Sequence, residues 1–315
     1  MKDVDGAAAI VDPEVLSTSR VLGGHGRAPG SRGHAIPGVL GRLWRLDPRA
    51  YQIATLSGLL GYGVLWLEFD IDPLRVGVIL LTAVVTQLAA SAIAGRPQLD
   101  AKSALISGLS LCLLLRATEP ALAELAAMIA VASKFVVRIR GKHVFNPTNF
   151  AIVAMMLVTG RVWVSPGQWG SAVVFAFLLA SAGCLVVNRA GRADVAAIFL
   201  ATHLGLVFGR SLWLGDPLSI PLHRLESGAL VLFAFFMITD PKTTPDSRAG
   251  RAVFALLVAA GAYAIQFTLF RPDALLWSLA ACSLTVPMID RLLPGSRYRW
   301  PAAAGREAGQ ERALP

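Results

Sequence analysis

A chain of 315 residues that is 55% hydrophobic, only 16% charged and of mean hydropathy +0.60 carries more apolar sequence than a soluble domain can hide. Its apolar runs recur and approach membrane-crossing length, which reads as an all-α polytopic membrane protein in the lipid bilayer and excludes an ordinary soluble enzyme. The net charge of +9 comes from Lys and Arg spread over loop after loop, a topology pattern and not a nucleic-acid-binding face.

Residues 1–49 read as a flexible basic cytoplasmic tail without a cleavable signal peptide, dominated by Gly, Arg, Ser, His and Pro from Ser17 to Gly41. A short amphipathic piece around Gly38 to Arg49 is placed along the membrane surface. Ten membrane segments are then predicted, near Tyr51–Leu67, Leu74–Ile93, Ala101–Leu115, Ala121–Val137, Asn146–Thr159, Gly170–Val187, Asp194–Phe208, Leu225–Thr239, Ala252–Phe270 and Ala274–Met288. The third, fifth, seventh and eighth are short for ~30 Å of hydrocarbon, and short interrupted segments in a bundle usually line a site. Trp44, Trp66, Trp163, Trp169, Trp213 and Trp300 fall near predicted segment ends, as an aromatic belt would put them. The tail after residue 289 is again basic and cytoplasmic.

Of the 29 Lys and Arg, 23 fall on one side if both termini are cytoplasmic, the orientation expected in a bacterial-type inner membrane. The sequence also repeats. Ser107-Gly108 and Ser227-Gly228 lie 120 residues apart, and Thr118-Glu119-Pro120 answers Thr239-Asp240-Pro241. Two five-segment halves, 50–160 and 161–289, then have opposite orientation, so a 5+5 inverted repeat is expected.

Lys134 to Phe150 is the polar centre of this apolar chain. Asn146-Pro147 opens a helix, with Pro where its missing N–H costs nothing, and Asn149 follows three residues on along the same face. Under the inverted topology, Thr239-Asp240-Pro241-Lys242 emerges on the same side as Asn146. Amides, hydroxyls and a carboxylate then meet apolar Phe145, Phe150, Phe235 and Phe236, as a planar heteroaromatic ligand requires. The competing reading is an Asn/Pro helix start and a helix stop, with Asp240 paired to Lys242 or Arg248 as loop charge. Lys134 and Arg138 either snorkel to headgroups or hold an anionic ligand.

Ser133-Lys134, Gly141, Phe145-Asn146-Pro147, Ser227-Gly228 and Phe235 through Thr243 together resemble the RnfD/NqrB family. Its members are membrane subunits of ion-motive Rnf and sodium-translocating NADH:quinone reductase complexes. The resemblance implies a ten-helix inverted repeat that passes electrons among other electron-transport subunits and holds a non-covalent flavin, riboflavin or FMN. Carried over residue by residue, it points to Asn146, Asn149, Phe145, Thr239, Asp240 and Lys134 as cofactor-binding residues. Members with covalent FMN carry Ser-Gly-Ala-Thr in the outer loop after segment five; Gly160–Gly170 here has no such motif and no Thr. The chain is also similar to UnbU-type relatives that accompany enediyne biosynthesis, which keeps a small-molecule transporter or channel as the alternative.

Other chemistry is sparse. No GxSxG elbow, Walker loop, HExxH or CxxCH occurs, so the catalytic residues stay unassigned. Cys112, Cys184 and Cys282 lie singly in apolar runs and imply no metal site. His203, within segment seven, is a membrane-embedded polar candidate, and His143 in the basic loop either touches a phosphate or is solvated.

Overall fold

The fold was analysed in a computed structural model that describes residues 47–69, 71–95, 100–165, 182–188, 190–225 and 228–298. The amphipathic piece before Asp47 and most of the predicted sixth segment lie outside the described residues; 182–187 of that segment are helical. Trp44, Trp169 and Trp300 also lie outside them.

A recurrent helix start shapes the first half. Asp47 caps α1 (Pro48–Leu65), Asp72 caps α2 (Pro73–Ile93), and Asn146 caps α5 (Pro147–Thr159). In each case the side-chain oxygen accepts a backbone N–H two or three residues on, while Pro opens the helix. Asp100 caps α3 (Ala101–Leu114) without a proline, and α4 spans Pro120–Val136. On α4 the buried Ala123, Ala126, Ala127 and Ala130 form a small-residue stripe that lets α2 and α5 pack closely.

The second half is built on α6 (Ala193–Leu214) and α9 (Arg248–Thr268). α9 buries Arg251, Phe254, Ala255, Val258, Ala259 and Ala262, one face at helical spacing, against α6 and α10 (Ala274–Ser283). A Cβ on Gly261 would lie 2.5 Å from Ser278 Oγ, and Ser278 Oγ donates to Val258 O at 2.7 Å. Hence α9 and α10 touch backbone to side chain. α10 continues into α11 (Val286–Leu292) through a 49° bend, next to Pro287, whose ring cannot accept the straight helical path. The two halves meet where α5 packs on α10.

Two short elements stand between α6 and α9: α7 (Ser219–Leu225) and α8 (Gly228–Leu232). α8 runs directly into a π-helical turn, Phe233–Met237, closed by Ile238 N–H donating to Phe233 O at 3.1 Å. Such turns recur at functional sites because they reposition side chains within an otherwise regular helix.

Among the described residues, three helices are long and apolar enough to cross a membrane, α2, α6 and α9, and the bent α10–α11 pair makes a fourth. α3, α5 and the Gly228–Met237 stretch are shorter apolar helices. With the recurrent apolar runs of the chain, these helices make it a multi-pass membrane protein. The seventh segment departs from expectation, since α6 continues past Phe208 to Leu214 and is not short. Arg210, whose charge suggests a helix end, lies over the Phe267 ring at 4.5 Å and so stays within the helix.

The all-α expectation needs one amendment. β1 (Leu115–Ala117) pairs antiparallel with β4 (Val162–Val164), and β2 (Arg138–Ile139) pairs with β3 (Lys142–His143). The chain leaves α3 early, and pairing with β4 satisfies backbone groups that hydrocarbon could not. β2 and β3 are joined by Arg140-Gly141, both at positive φ (51° and 78°), the mirror-image turn that suits a two-residue hairpin.

Of the repeated Ser-Gly pairs, Ser107-Gly108 sits within α3, and Gly228 of the second is the first residue of α8.

Candidate functional site

The loops at the basic end are tied together by charge. Lys142 Nζ bridges Asp246 Oδ1 at 3.0 Å and Asp290 Oδ2 at 2.6 Å, joining the β2–β3 hairpin to the start of α9 and to α11. Arg251 is paired with Asp194, and Arg192 Nε donates to Thr244 Oγ1 at 3.0 Å. Arg297 Nη2 donates to Arg140 O at 3.0 Å, and the Arg192 guanidinium lies 4.9 Å from the Tyr298 ring. Thus residues 138–143 and 239–251, far apart in sequence, share one end of the bundle.

Between them lies a cleft of about 100 Å³. One wall is apolar, formed by Ile106, Val186, Val187, Phe235 and Phe236. Phe235 is seated against Gly183, where a Cβ would come within 2.6 Å of the ring. The opposite edge is polar. Ser103, Ser107 and Ser110 rise along α3 at i, i+4 and i+7, followed by Lys134, Asn146, Thr239, Asp240 and Lys242.

Lys134 is only 5% exposed, and its ammonium turns inward to donate to Ser103 O at 2.8 Å and Ser103 Oγ at 3.0 Å. It does not snorkel. Ser107 Oγ donates to Ser103 O, whereas Ser110, also buried, makes no hydrogen bond through its hydroxyl to another described residue. Asp240 starts a tight turn in which its Oδ1 accepts Lys242 N–H at 3.0 Å and its carbonyl accepts the N–H of Thr243 and Thr244. Loss of water raises the Asp240 carboxyl above its ordinary value, against the pull of the Lys242 N–H and of Lys134, Lys242 and Arg192. Burial likewise holds the Lys242 ammonium below its ordinary range; Asp240 and Asp100 oppose that shift, and nearby Arg49 and Arg138 add to it.

Four of the six residues expected to bind a cofactor, Lys134, Asn146, Thr239 and Asp240, line this cleft. Phe145 and Asn149 do not. Phe145 packs on Phe150 with centroids 5.0 Å apart. Asn149 is fully buried and turned to α10, its Nδ2 donating to Leu276 O at 3.1 Å. Its buried Oδ1 has no hydrogen-bond partner among the described residues, whereas Asn146 is engaged at both ends: Oδ1 accepts Asn149 N–H at 3.1 Å, and Nδ2 donates to Met237 O at 3.3 Å. This last bond holds the Asn146 helix start against the π-helical turn. The Asp240–Lys242 contact is through the Lys242 backbone, and Arg248 is exposed.

The serine row and Arg49 are not among the residues that the sequence motifs indicate. The serine spacing is visible in segment three, whereas Arg49 falls at the end of the basic tail. The Arg49 guanidinium is held by Asp47 at 3.0 Å and Asp100 at 2.6 Å, which places it beside the cleft.

A second cavity of about 150 Å³ lies at the other end of the bundle, lined by Leu114, Val164, His203, Leu230, Phe233 and Leu276 among others. His203 is buried and stacks on Phe199 with centroids 5.6 Å apart. Met237 borders both cavities, so the π-helical turn separates them.

Residues 158–299, somewhat under half of the chain, match the model of the NQR2, RnfD, RnfE family. Thr239-Asp240-Pro241 falls inside that match and Asn146-Pro147 before it. Among curated proteins, the chain is 41% identical over 80 residues to the RnfD component of an ion-translocating oxidoreductase complex from Alcanivorax borkumensis, covering 25% of this chain and 23% of that protein. It is 34% identical over 104 residues to a protein of the same description from Shewanella sediminis, covering 33% and 28% respectively. The matched stretch is thus less than a third of the length of these relatives. The likeness to the RnfD/NqrB family that the motifs carried is therefore shown, with residues 158–299 as the part of this chain that the family model matches.

Proposed function

We propose that this chain is a membrane electron-transfer component of an ion-translocating oxidoreductase complex, holding a non-covalent flavin in the cleft at its basic end. The observation that carries the reading is the convergence of Asn146 and the Thr239–Lys242 turn on one cleft with an apolar wall and a polar edge. The residues fit such a ligand. Phe235 and Phe236 offer an apolar surface to a planar ring, and the Ser110 hydroxyl, Thr239 and Lys134 lie along its edge. About 100 Å³ is less than the ~300–1,000 Å³ of pockets that enclose a whole ligand, so a ligand held here extends out of the cleft.

A bound flavin supplies one- or two-electron transfer. The chain's own residues exclude water along the Phe wall, hold the ligand edge, and place the Lys134 ammonium where added negative charge on the ligand is stabilised. The direct protein partners of Asn146 and Asn149 give those amides the task of shaping the cleft. The outer loop lacks the attachment motif, so the flavin is held by packing and hydrogen bonds alone.

The same reading includes ten crossings in a 5+5 inverted repeat and cytoplasmic placement of the basic end and both termini. The Lys/Arg asymmetry and the bridging of hairpin, α9 and α11 at one end by Lys142 support it. Detergent-purified protein should show absorption near ~370 and ~450 nm, or acquire it on incubation with flavin, and denaturation should release all of it. Protein that neither carries nor takes up flavin would defeat the reading; a fluorescent band on a denaturing gel would defeat the non-covalent part. Single cysteines in residues 138–143 or 242–251 should resist an impermeant thiol reagent in intact cells.

One observation favours a small-molecule transporter as a second reading. Two cavities at opposite ends share Met237 as a common wall, the arrangement of a pathway closed by a short barrier. Substrate-dependent flux through proteoliposomes without any bound flavin would select it.

A further inference from the structure

The chain beyond α11 is built differently from the bundle. Leu293 packs on the core, Pro294 follows the helix end, and residues 294–298 run on without helix or strand. Residues 294–297 are exposed, yet the segment is fastened at three points. Gly295 lies so close to the start of α9 that a Cβ would come within 2.5 Å of Ser247 N. Only glycine fits there without moving backbone. Arg297 Nη2 donates to Arg140 O at 3.0 Å, at the tip of the β2–β3 hairpin. The Tyr298 ring meets the Arg192 guanidinium at 4.9 Å.

The third fastening stands beside the cleft. Arg192 Nε donates to Thr244 Oγ1, and Thr244 N–H donates to the carbonyl of Asp240, a residue of the cleft lining. Burial raises the Tyr298 phenol above its ordinary value; Arg192 and Arg49 oppose that rise, and Asp47 and Asp240 add to it. The phenol is therefore within reach of both edges of the cleft, the Asp240 turn and Arg49 at the start of α1, which Asp47 and Asp100 hold in place. An exposed segment with neither helical nor strand bonds opens at lower cost than the bundle beneath it.

We infer that residues 294–298 form a strap that closes the cleft at the end where the loops gather, with Tyr298 on Arg192 as its latch. The inference goes beyond the proposed function, because it concerns entry to the cleft and holds for any occupant. A ligand enters or leaves when the latch is released, while Gly295 keeps the base of the strap against α9.

The test places one reporter, Ser107→Cys, in the cleft of a full-length chain lacking Cys112, Cys184 and Cys282, held in nanodiscs. The rate of its reaction with a small water-soluble maleimide reads the open fraction of the strap. Tyr298→Ala should raise that rate about ten-fold, the size of one partly dewatered cation–π contact. Tyr298→Phe should leave it unchanged, since the ring remains. Gly295→Ala should raise it by displacing the strap, and ending the chain at Leu293 should raise it most. Equal rates in the unaltered and shortened chains, both folded by their thermal transitions, would overturn the inference. A matching rise at Ala229→Cys, a reporter in the second cavity, would show general loosening and overturn it too. Opening by Tyr298→Phe as large as by Tyr298→Ala would remove the ring as the latch. No flavin takes part in the labelling, so failure here leaves the proposed function standing, and failure to bind flavin leaves the strap standing.

Discussion

Asn146 and Lys242 stand on the same cleft, yet one is used up by the fold and the other is not. The Asn146 amide caps α5 with its oxygen and clamps Met237 O with its nitrogen. The Lys242 ammonium enters no salt bridge among the described residues, and the nearby Ser110 hydroxyl makes no hydrogen bond to another of them. In a bundle mostly surrounded by hydrocarbon, every buried polar group must first satisfy backbone that water cannot reach. Ligand-facing groups are those left over after that need is met. Motif residues and ligand residues therefore need not coincide, and substitutions can separate them.

The largest effect is expected where the two sides of the cleft are tied together. Lys142→Ala leaves Asp246 and Asp290 facing each other without their shared cation, at sites of 11% and 18% side-chain exposure. Breaking such a pair costs ~3–5 kcal/mol, so thermal unfolding of the detergent-purified protein should shift markedly downward. An unchanged transition would mean that the basic end is not held by this cation. Next comes Asn149→Leu, which removes the donor to Leu276 O in a fully buried site and should cost ~1–3 kcal/mol with no ligand added. Ser110→Ala is its counterpart. Stability should stay within ~0.5 kcal/mol, while flavin affinity falls. If Ser110→Ala destabilises as much as Asn149→Leu, the division between fold and ligand groups fails.

A smaller effect is expected at Asp240. Because burial raises its carboxyl above the ordinary 3.8, the folded protein holds that proton more tightly than the unfolded chain does. This group's contribution to stability is therefore greatest below 3.8 and declines as pH rises from there through the raised value. Asp240→Asn should flatten that decline, read from thermal midpoints across the acid range. The smallest effect belongs to the other end of the bundle. Arg161 and Glu119 are 61% and 53% exposed, so Glu119→Gln should change stability by no more than ~1 kcal/mol.

Much of this architecture is legible in the chain because its causes are local. Apolar run length places most helices within a few residues, and Asp or Asn before Pro marks where α1, α2 and α5 begin. The Asn146 and Thr239–Lys242 motifs also point to one side of the membrane without any knowledge of contacts. What escapes depends on partners distant in sequence. α6 outruns its predicted end because Phe267 accepts Arg210, and β1 exists because β4 lies alongside it.

The sequence by itself determined a membrane bundle, the basic end where its loops gather, and the motifs that meet there. Hydropathy, charge and capping act over a few residues, so they are written along the chain. Tertiary structure alone decided which polar groups remained available. Asn149 Nδ2 was spent on Leu276, 127 residues away, and Lys134 turned toward Ser103, 31 residues away. The satisfaction of a buried hydrogen bond is a property of the packed pair, and no single stretch of sequence carries it.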